Sequence, residues 1–348
     1  MKRGLLFLGI VIAFSFSWVM SRRIPLAVIG QPTAAGLMQG AMEEPFFAGL
    51  AEASGLPLKV AYRPLDETGI MDSHQLQMLK DGLFDLVSLR FPENSIAEPS
   101  LQGIDMVGLH ADYASARRAV YSYATTVDRY LNESFEAKLL GVWPFGPQVF
   151  FCRVPIQGIE DIAGLRVRIS SSSMATVIAG LGGIPVTIGF IDTKNALASG
   201  MVDCAVTSSA SANFAGWPEH VGYYFPLSVH FGLNGYAISL RTWNMLSSSQ
   251  QRILQETFDA YLDELWRFSQ TIHEDASNCN VGRDCQSGNL YHLGLVQPSE
   301  RDEQLLRETS QALLLPEWAE RCEGVHPGCR QEWEDTFLSQ APIRRPEQ

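Results

Sequence analysis

No nucleotide-binding or hydrolytic signature is present in this chain of 348 residues. There is no G-x-x-x-x-G-K-[ST] run. The cluster Gly180-Leu181-Gly182-Gly183 precedes a strand pattern instead of following one, so it lacks the geometry that cradles a pyrophosphate on a helix N-terminus. H-E-x-x-H and G-x-S-x-G are missing too, which excludes the common zinc-peptidase and serine-hydrolase arrangements. The 7 histidines are scattered, with no pair at metal-ligand spacing. Charged residues are only 18% of the chain, and the net charge of −12 argues against nucleic acid or an anionic membrane surface as partner. A small anionic ligand stays possible, because a local arginine outweighs a distant, screened field. Beyond the N-terminus no apolar run is long enough to cross a bilayer.

What is present describes a globular, exported protein. A hydrophobic content of 46% and this length suit two domains. Residues 1–21 read as a targeting segment, with Lys2-Arg3 as the basic region, Gly4 to Met20 as the apolar region and a cut near Val19-Met20-Ser21. Arg22-Arg23 follow at once, so an uncleaved anchor is the alternative. Export makes the 6 cysteines readable. Cys279 with Cys285, and Cys322 with Cys329, are close in sequence within Gly- or Pro-containing loops. They read as two local disulfides. The competing four-cysteine zinc site lacks the usual C-x₂₋₄-C spacing. Cys152 and Cys204 lie in apolar strand contexts and are expected to be buried, with their pairing open.

The chain is organised around Gly158 to Ser209. Leu165 to Ile169 alternates apolar and basic residues as a short strand. Ser170 to Ser173 offers N-caps to a helix over Met174 to Leu181. Ile184 to Ile188 is a strand, Asp192 to Ser199 a helix, and Val202 to Val206 a third strand. The same strand-helix-strand-helix-strand rhythm appears earlier, with strands at Pro25 to Gly30, Leu58 to Tyr62 and Phe84 to Leu89. Arg168 ends its strand just before a helix N-terminus, where ligands of open α/β sheets bind and where a guanidinium can grip a carboxylate. A surface arginine paired with Glu160 or Asp161 is the plain alternative. Arg90 ends a strand in the first unit and offers a second anion contact if it faces a cleft.

The runs GIEDIAGLRVRI, GIPV and DTKNALASGMVD resemble the core signature of solute-binding proteins of tripartite ATP-independent periplasmic (TRAP) transporters, C4-dicarboxylate type. Lys80-Asp81-Gly82-Leu83-Phe84-Asp85 matches a further run of that family. The resemblance implies a two-lobed α/β fold of the type II periplasmic-binding-protein kind. Each lobe would be a mainly parallel sheet flanked by helices, with a long helix across both. The first lobe is expected at 24–145 plus about 234–272, the second at 146–233 plus about 273–348. The resemblance also implies Arg168 as the carboxylate clamp and Gln148 as a ligand contact, with Asp72 and Gln31 near other contact positions. Thr207 stands where the family often has an asparagine ligand contact, a departure that bears on which acid fits. His230 lies in a segment where family members often carry a histidine; it either lines the cleft or is a hydrogen-bonded core residue. Trp143, Phe145 and Phe150 form either an apolar ligand wall or plain core.

The expected function is capture of a small organic acid by hinge closure and delivery to TRAP membrane subunits, without cofactor and without catalysis. Two alternatives are a ligand-sensing partner of a membrane receptor and an enzyme using a Cys204–His230 thiol–imidazole pair.

Overall fold

The computed structural model describes residues 23–337. The expected targeting segment at 1–21 and the polar tail at 342–348 lie outside those residues. The strands are β1 (Ile24–Gly30), β2 (Leu58–Pro64), β3 (Leu86–Arg90), β4 (Ala137–Pro144), β5 (Gln148–Cys152), β6 (Arg166–Ile169), β7 (Ile184–Thr187), β8 (Cys204–Ser208), β9 (Tyr223–Phe225), β10 (Leu233–Ser239) and β11 (Gly294–Leu295).

They form two sheets, one per lobe, in the orders β2-β1-β3-β10-β4 and β11-β9-β5-β8-β6-β7. Each contains a parallel trio with its first strand central, β2-β1-β3 and β7-β6-β8. That is the repeated unit expected from the alternation of strand and helix patterns. Each trio is extended by one antiparallel strand next to a crossing point: β10 beside β3, and β5 beside β8. The run Tyr223 to Ser239, which reads as one alternating segment, therefore divides into β9 of the second lobe and β10 of the first.

Local chemistry explains most boundaries. The first helix has one wide π-type turn, Met38–Glu43, before regular α-structure at Glu44–Ser54; Pro45 sits in its first turn, where a missing N–H is tolerated. Gly55 ends it in the left-handed region at φ 66°. The longest helix, Ser248–Asn280, opens on a reciprocal capping box between Ser247 and Gln250. Its apolar stripe runs through Leu254, Phe258, Tyr261, Leu265 and Ile272, all buried. It outlasts that stripe by eight residues because its last turns change lobes. Trp266 Nε1 donates to Val142 O of the first lobe at 2.9 Å, whereas Asn213 Nδ2 of the second lobe donates to Asn280 Oδ1 at 2.8 Å.

The C-terminal region departs from its expected assignment to the second lobe. Asp302 accepts a 2.8 Å bond from Ile159 N there. The chain then returns to the first lobe, where Trp318 Nε1 donates to Pro99 O at 2.8 Å and Trp333 Nε1 to Gly103 O at 2.7 Å. The cause is burial: both indoles are almost fully enclosed, and each N–H finds a backbone carbonyl. The largest apolar cluster is continuous between lobes, from Leu89 and Val142 through Phe231 and Phe150 to Ile162 and Ile178.

Three disulfides are present. Cys279–Cys285 and Cys322–Cys329 are the two expected local bridges. Cys152–Cys204 joins residues directly opposed in β5 and β8, with Cα atoms 4.1 Å apart. Among the described residues no helix is long and apolar enough to cross a membrane.

Candidate functional site

The loop after β1 meets the end of β8 between the lobes, where Ala34 and Ala35 share a small cavity with Ser208, and the chain crosses alongside. Two crossing segments run antiparallel: Phe145 N donates to Gly232 O at 3.1 Å, Gly146 N to Phe231 O at 3.1 Å, and Gln148 N to His230 O at 2.8 Å. Asp105 pins this pair. Its carboxylate accepts from Phe231 N and Leu233 N, both at 2.8 Å, and lies 3.0 Å from His230 Nδ1. Burial alone would raise the Asp105 carboxyl. The charges of His230 and His110 and the bonds from His230 and Leu233 outweigh burial and hold it below the usual range. His230 thus lies in the crossing segment, buried, with its ring against Asp105. A lone carboxylate inside the apolar run Leu101 to Leu109 was the available signal for Asp105.

On the second lobe, Arg168 is 3% exposed. Its Nε donates to Ile188 O at 2.9 Å and its Nη1 to Val206 O at 3.0 Å. The guanidinium carbon stands 5.5 Å from the centre of the Trp217 ring. Among the described residues, no carboxylate lies within ion-pairing distance of it. Neither surface partner considered from sequence reaches it: Asp161 caps Gln157 N, and Glu160 faces Arg301. Arg166, two residues earlier, is the paired arginine, with its Nη2 2.7 Å from Asp203. Burial pushes Arg168 down to about 10, with Glu93 acting against that shift and Arg90 adding to it. It is still a cation at neutral pH. Thr207, on β8, is 6% exposed and opposes Val149 of β5, one residue from Gln148. Gln148 donates its side-chain N–H to Gly146 O at 2.9 Å.

On the first lobe, Arg90 lies 2.7 Å from Glu93 through Nη2 and 3.0 Å from Asp72 through Nε. Sequence reasoning missed Glu93 and the pairing. Gln31 is fully buried after β1; its Nε2 donates to Ser88 Oγ at 3.1 Å. Its backbone N–H donates at 2.6 Å to Glu43, a buried acid that also accepts from Tyr62 at 3.0 Å. Burial raises the Glu43 carboxyl, against the lowering hydrogen bonds. A Cβ on Gly30 would overlap the Tyr62 ring, so glycine is required for this approach. Glu43 gave no sequence signal, since an acid just before the start of a regular helix is ordinary.

Of the three aromatics, Trp143 and Phe150 are core: Trp143 packs on Tyr236, and Phe150 on Phe225 at 5.8 Å between centroids. Phe145 lines a cavity of about 20 Å³ between the lobes, with Ala35 and Met38 on one side and Ser208 and Phe214 on the other. It has room for a water, not an organic acid. The thiol–imidazole alternative fails on bonding, since Cys204 is joined to Cys152.

The profile of bacterial extracellular solute-binding proteins, family 7 (DctP), matches residues 32–291. Solved structures share the two-lobed fold. An extracytoplasmic solute receptor of Bordetella pertussis binding pyroglutamic acid is 14% identical, with TM-score 0.76 over 90% of this chain and 99% of that one. A TRAP periplasmic solute-binding protein of Desulfovibrio desulfuricans with bound sn-glycerol-3-phosphate is 15% identical, with TM-score 0.77 over 93% and 100%. One of Rhodoferax ferrireducens with bound malonate is 17% identical, with TM-score 0.73 over 91% and 100%. No curated protein matches in sequence. With a match across most of the chain, from the loop after β1 to the region before β11, this protein belongs to family 7 of the bacterial extracellular solute-binding proteins.

Proposed function

We propose that the protein captures a small organic carboxylate between its lobes, in the periplasm, and delivers it to TRAP-type membrane subunits. The observation that carries this reading is Arg168: a buried cation held by carbonyls and an indole face, with no carboxylate partner among the described residues. A buried charge without a counter-ion is costly, and a ligand carboxylate would supply the partner. In this reading Arg168 clamps the carboxylate, while Gln148 and Thr207 contact the rest from the second lobe. Arg90, Asp72 and Gln31 form the opposing face, and His230 with Asp105 sets the hinge. Ligand contacts from both lobes stabilise closure, the signal a membrane partner reads. Membership in an extracellular solute-binding family supports the periplasmic setting and the transporter subunits. The protein is a carrier and not a catalyst.

Thermal melting of the purified protein with organic acids, sugars and amines tests this. A ligand at 100 times its Kd adds about 2.7 kcal/mol. Acids alone should raise the melt, and Arg168→Ala should abolish the rise. A non-acid ligand, or full binding by Arg168→Ala, would overturn the clamp.

A further inference from the structure

Arg90 is already neutralised by its own lobe. One guanidinium faces two carboxylates, Glu93 at 2.7 Å and Asp72 at 3.0 Å, leaving a formal charge of −1 on this cluster. The Asp72 contact is an ion pair without hydrogen-bond alignment, so Arg90 Nε has no hydrogen-bond acceptor. Among the described residues of the second lobe, the buried cation without a carboxylate partner is Arg168. Resting on the carboxylate clamp proposed above, we infer that the ligand is a monocarboxylate whose far end carries a hydrogen-bond donor (hydroxyl, amide N–H or ammonium), and that dicarboxylates are disfavoured.

The charge arrangement requires it. A second ligand carboxylate could reach Arg90 only beside Glu93 and Asp72, and like charges brought together in a desolvated cleft are strongly unfavourable. A donor there would meet acceptors instead. The side chains of Glu93 and Asp72 are 21% and 39% exposed, so both keep an accessible edge. Behind them, Gln31 Oε1 and Asn94 Oδ1 are buried and unpartnered. The two amides cannot turn to remedy this, because Gln31 Nε2 and Asn94 Nδ2 already donate to backbone carbonyls. Trp143 Nε1 is an unpartnered donor of the same lobe, packed against Tyr236 in the core. The Glu93 charge favours the Arg168 cation and the Arg90 charge opposes it, so the two faces lie within electrostatic reach of each other. The expectation that Arg90 serves a second anion is thereby replaced by an acceptor face.

Native mass spectrometry tests the inference. The purified protein is offered a bacterial metabolite extract together with acids matched in skeleton: butyrate, 4-hydroxybutyrate, 4-aminobutyrate and succinate, then benzoate, 4-hydroxybenzoate, 4-(aminomethyl)benzoate and terephthalate. The expected catch is an acid with one carboxylate and a donor, favoured by at least about tenfold over its matched dicarboxylate. Asp72→Asn combined with Glu93→Gln should shrink or reverse that preference. Arg90→Gln, which keeps both carboxylates, should widen it, and it serves as the test if the double variant fails to fold. Capture of a dicarboxylate or a phosphate ester, or a preference unmoved in the variants, overturns the inference and leaves the clamp intact. Capture of a non-acid, or of nothing, overturns the clamp reading and this inference with it.

Discussion

Replacing Arg168 by methionine should leave the ligand-free protein almost as stable as before while eliminating binding. Burial pushes the guanidinium well below its ordinary value, down to about 10, a cost of about 3 kcal/mol carried by the folded state. Methionine fills the space of the apolar stem and removes that cost. The losses are of similar size: two hydrogen bonds to Ile188 O and Val206 O at about 1 kcal/mol each, and about 1 kcal/mol of ring contact with Trp217. The terms nearly cancel, so urea and thermal melts without ligand should agree with wild type within about 1 kcal/mol, or roughly 2–4 °C. An arginine held by a buried ion pair behaves differently, since removing one member costs about 3–5 kcal/mol. The same melts with an acid that stabilises wild type should show no rise for Arg168→Met. A ligand-free loss above about 3 kcal/mol would mean that Arg168 is a structural arginine, and the reasoning from its missing partner would be wrong.

Asp105→Asn should lower hinge stability by about 2–4 kcal/mol, because the carboxylate accepts two backbone N–H groups and pairs with His230. The folded carboxyl is held below its ordinary value of 3.8, so its contribution is complete well above that pH and is lost as pH falls below it towards the folded value; acid melts should lose stability below about pH 4, and the variant should flatten that loss while leaving the neutral range level. Loop entropy ranks the disulfides: the bridge closing 52 residues should contribute about 4 kcal/mol and those closing 6 and 7 about 2 kcal/mol each, measurable as paired Cys→Ser variants in urea. Trp333→Ala should cost about 3–5 kcal/mol, which would be near zero if the C-terminal helices were dispensable to the first lobe.

The repeated unit was legible because each strand and helix carries its own period and its own stop. Arg168 was legible too, as a basic residue closing a strand before a serine run. Its lack of a partner was not, since that depends on where Asp161, Glu160 and Asp203 end up in space. The same limit hid the Arg90–Glu93–Asp72 cluster: spacing of three residues suggests Arg90 with Glu93, but Asp72 arrives from a different element. Alternation marks Cys152 and Cys204 as buried, yet only the register of β5 on β8 sets them opposite each other. The C-terminal helices were misplaced because their apolar faces name no lobe; the carbonyls of Pro99 and Gly103 decide it.

The pairing of β5 with β8 has a mechanical consequence. β5 begins at Gln148, in the crossing segment, and lies along β8 up to Ser208 and Thr207, the latter a proposed ligand contact. At its far end the Cys152–Cys204 bridge rivets the two strands together. A rotation delivered at the crossing therefore reaches the ligand contacts through a stiff lever, with little slack for slippage between strands. A misfitting solute cannot be accommodated by easing β8 alone; it holds the whole lobe at a different angle. In the proposed function, the fit of a few atoms would thereby become an orientation that a membrane partner reads at a distance.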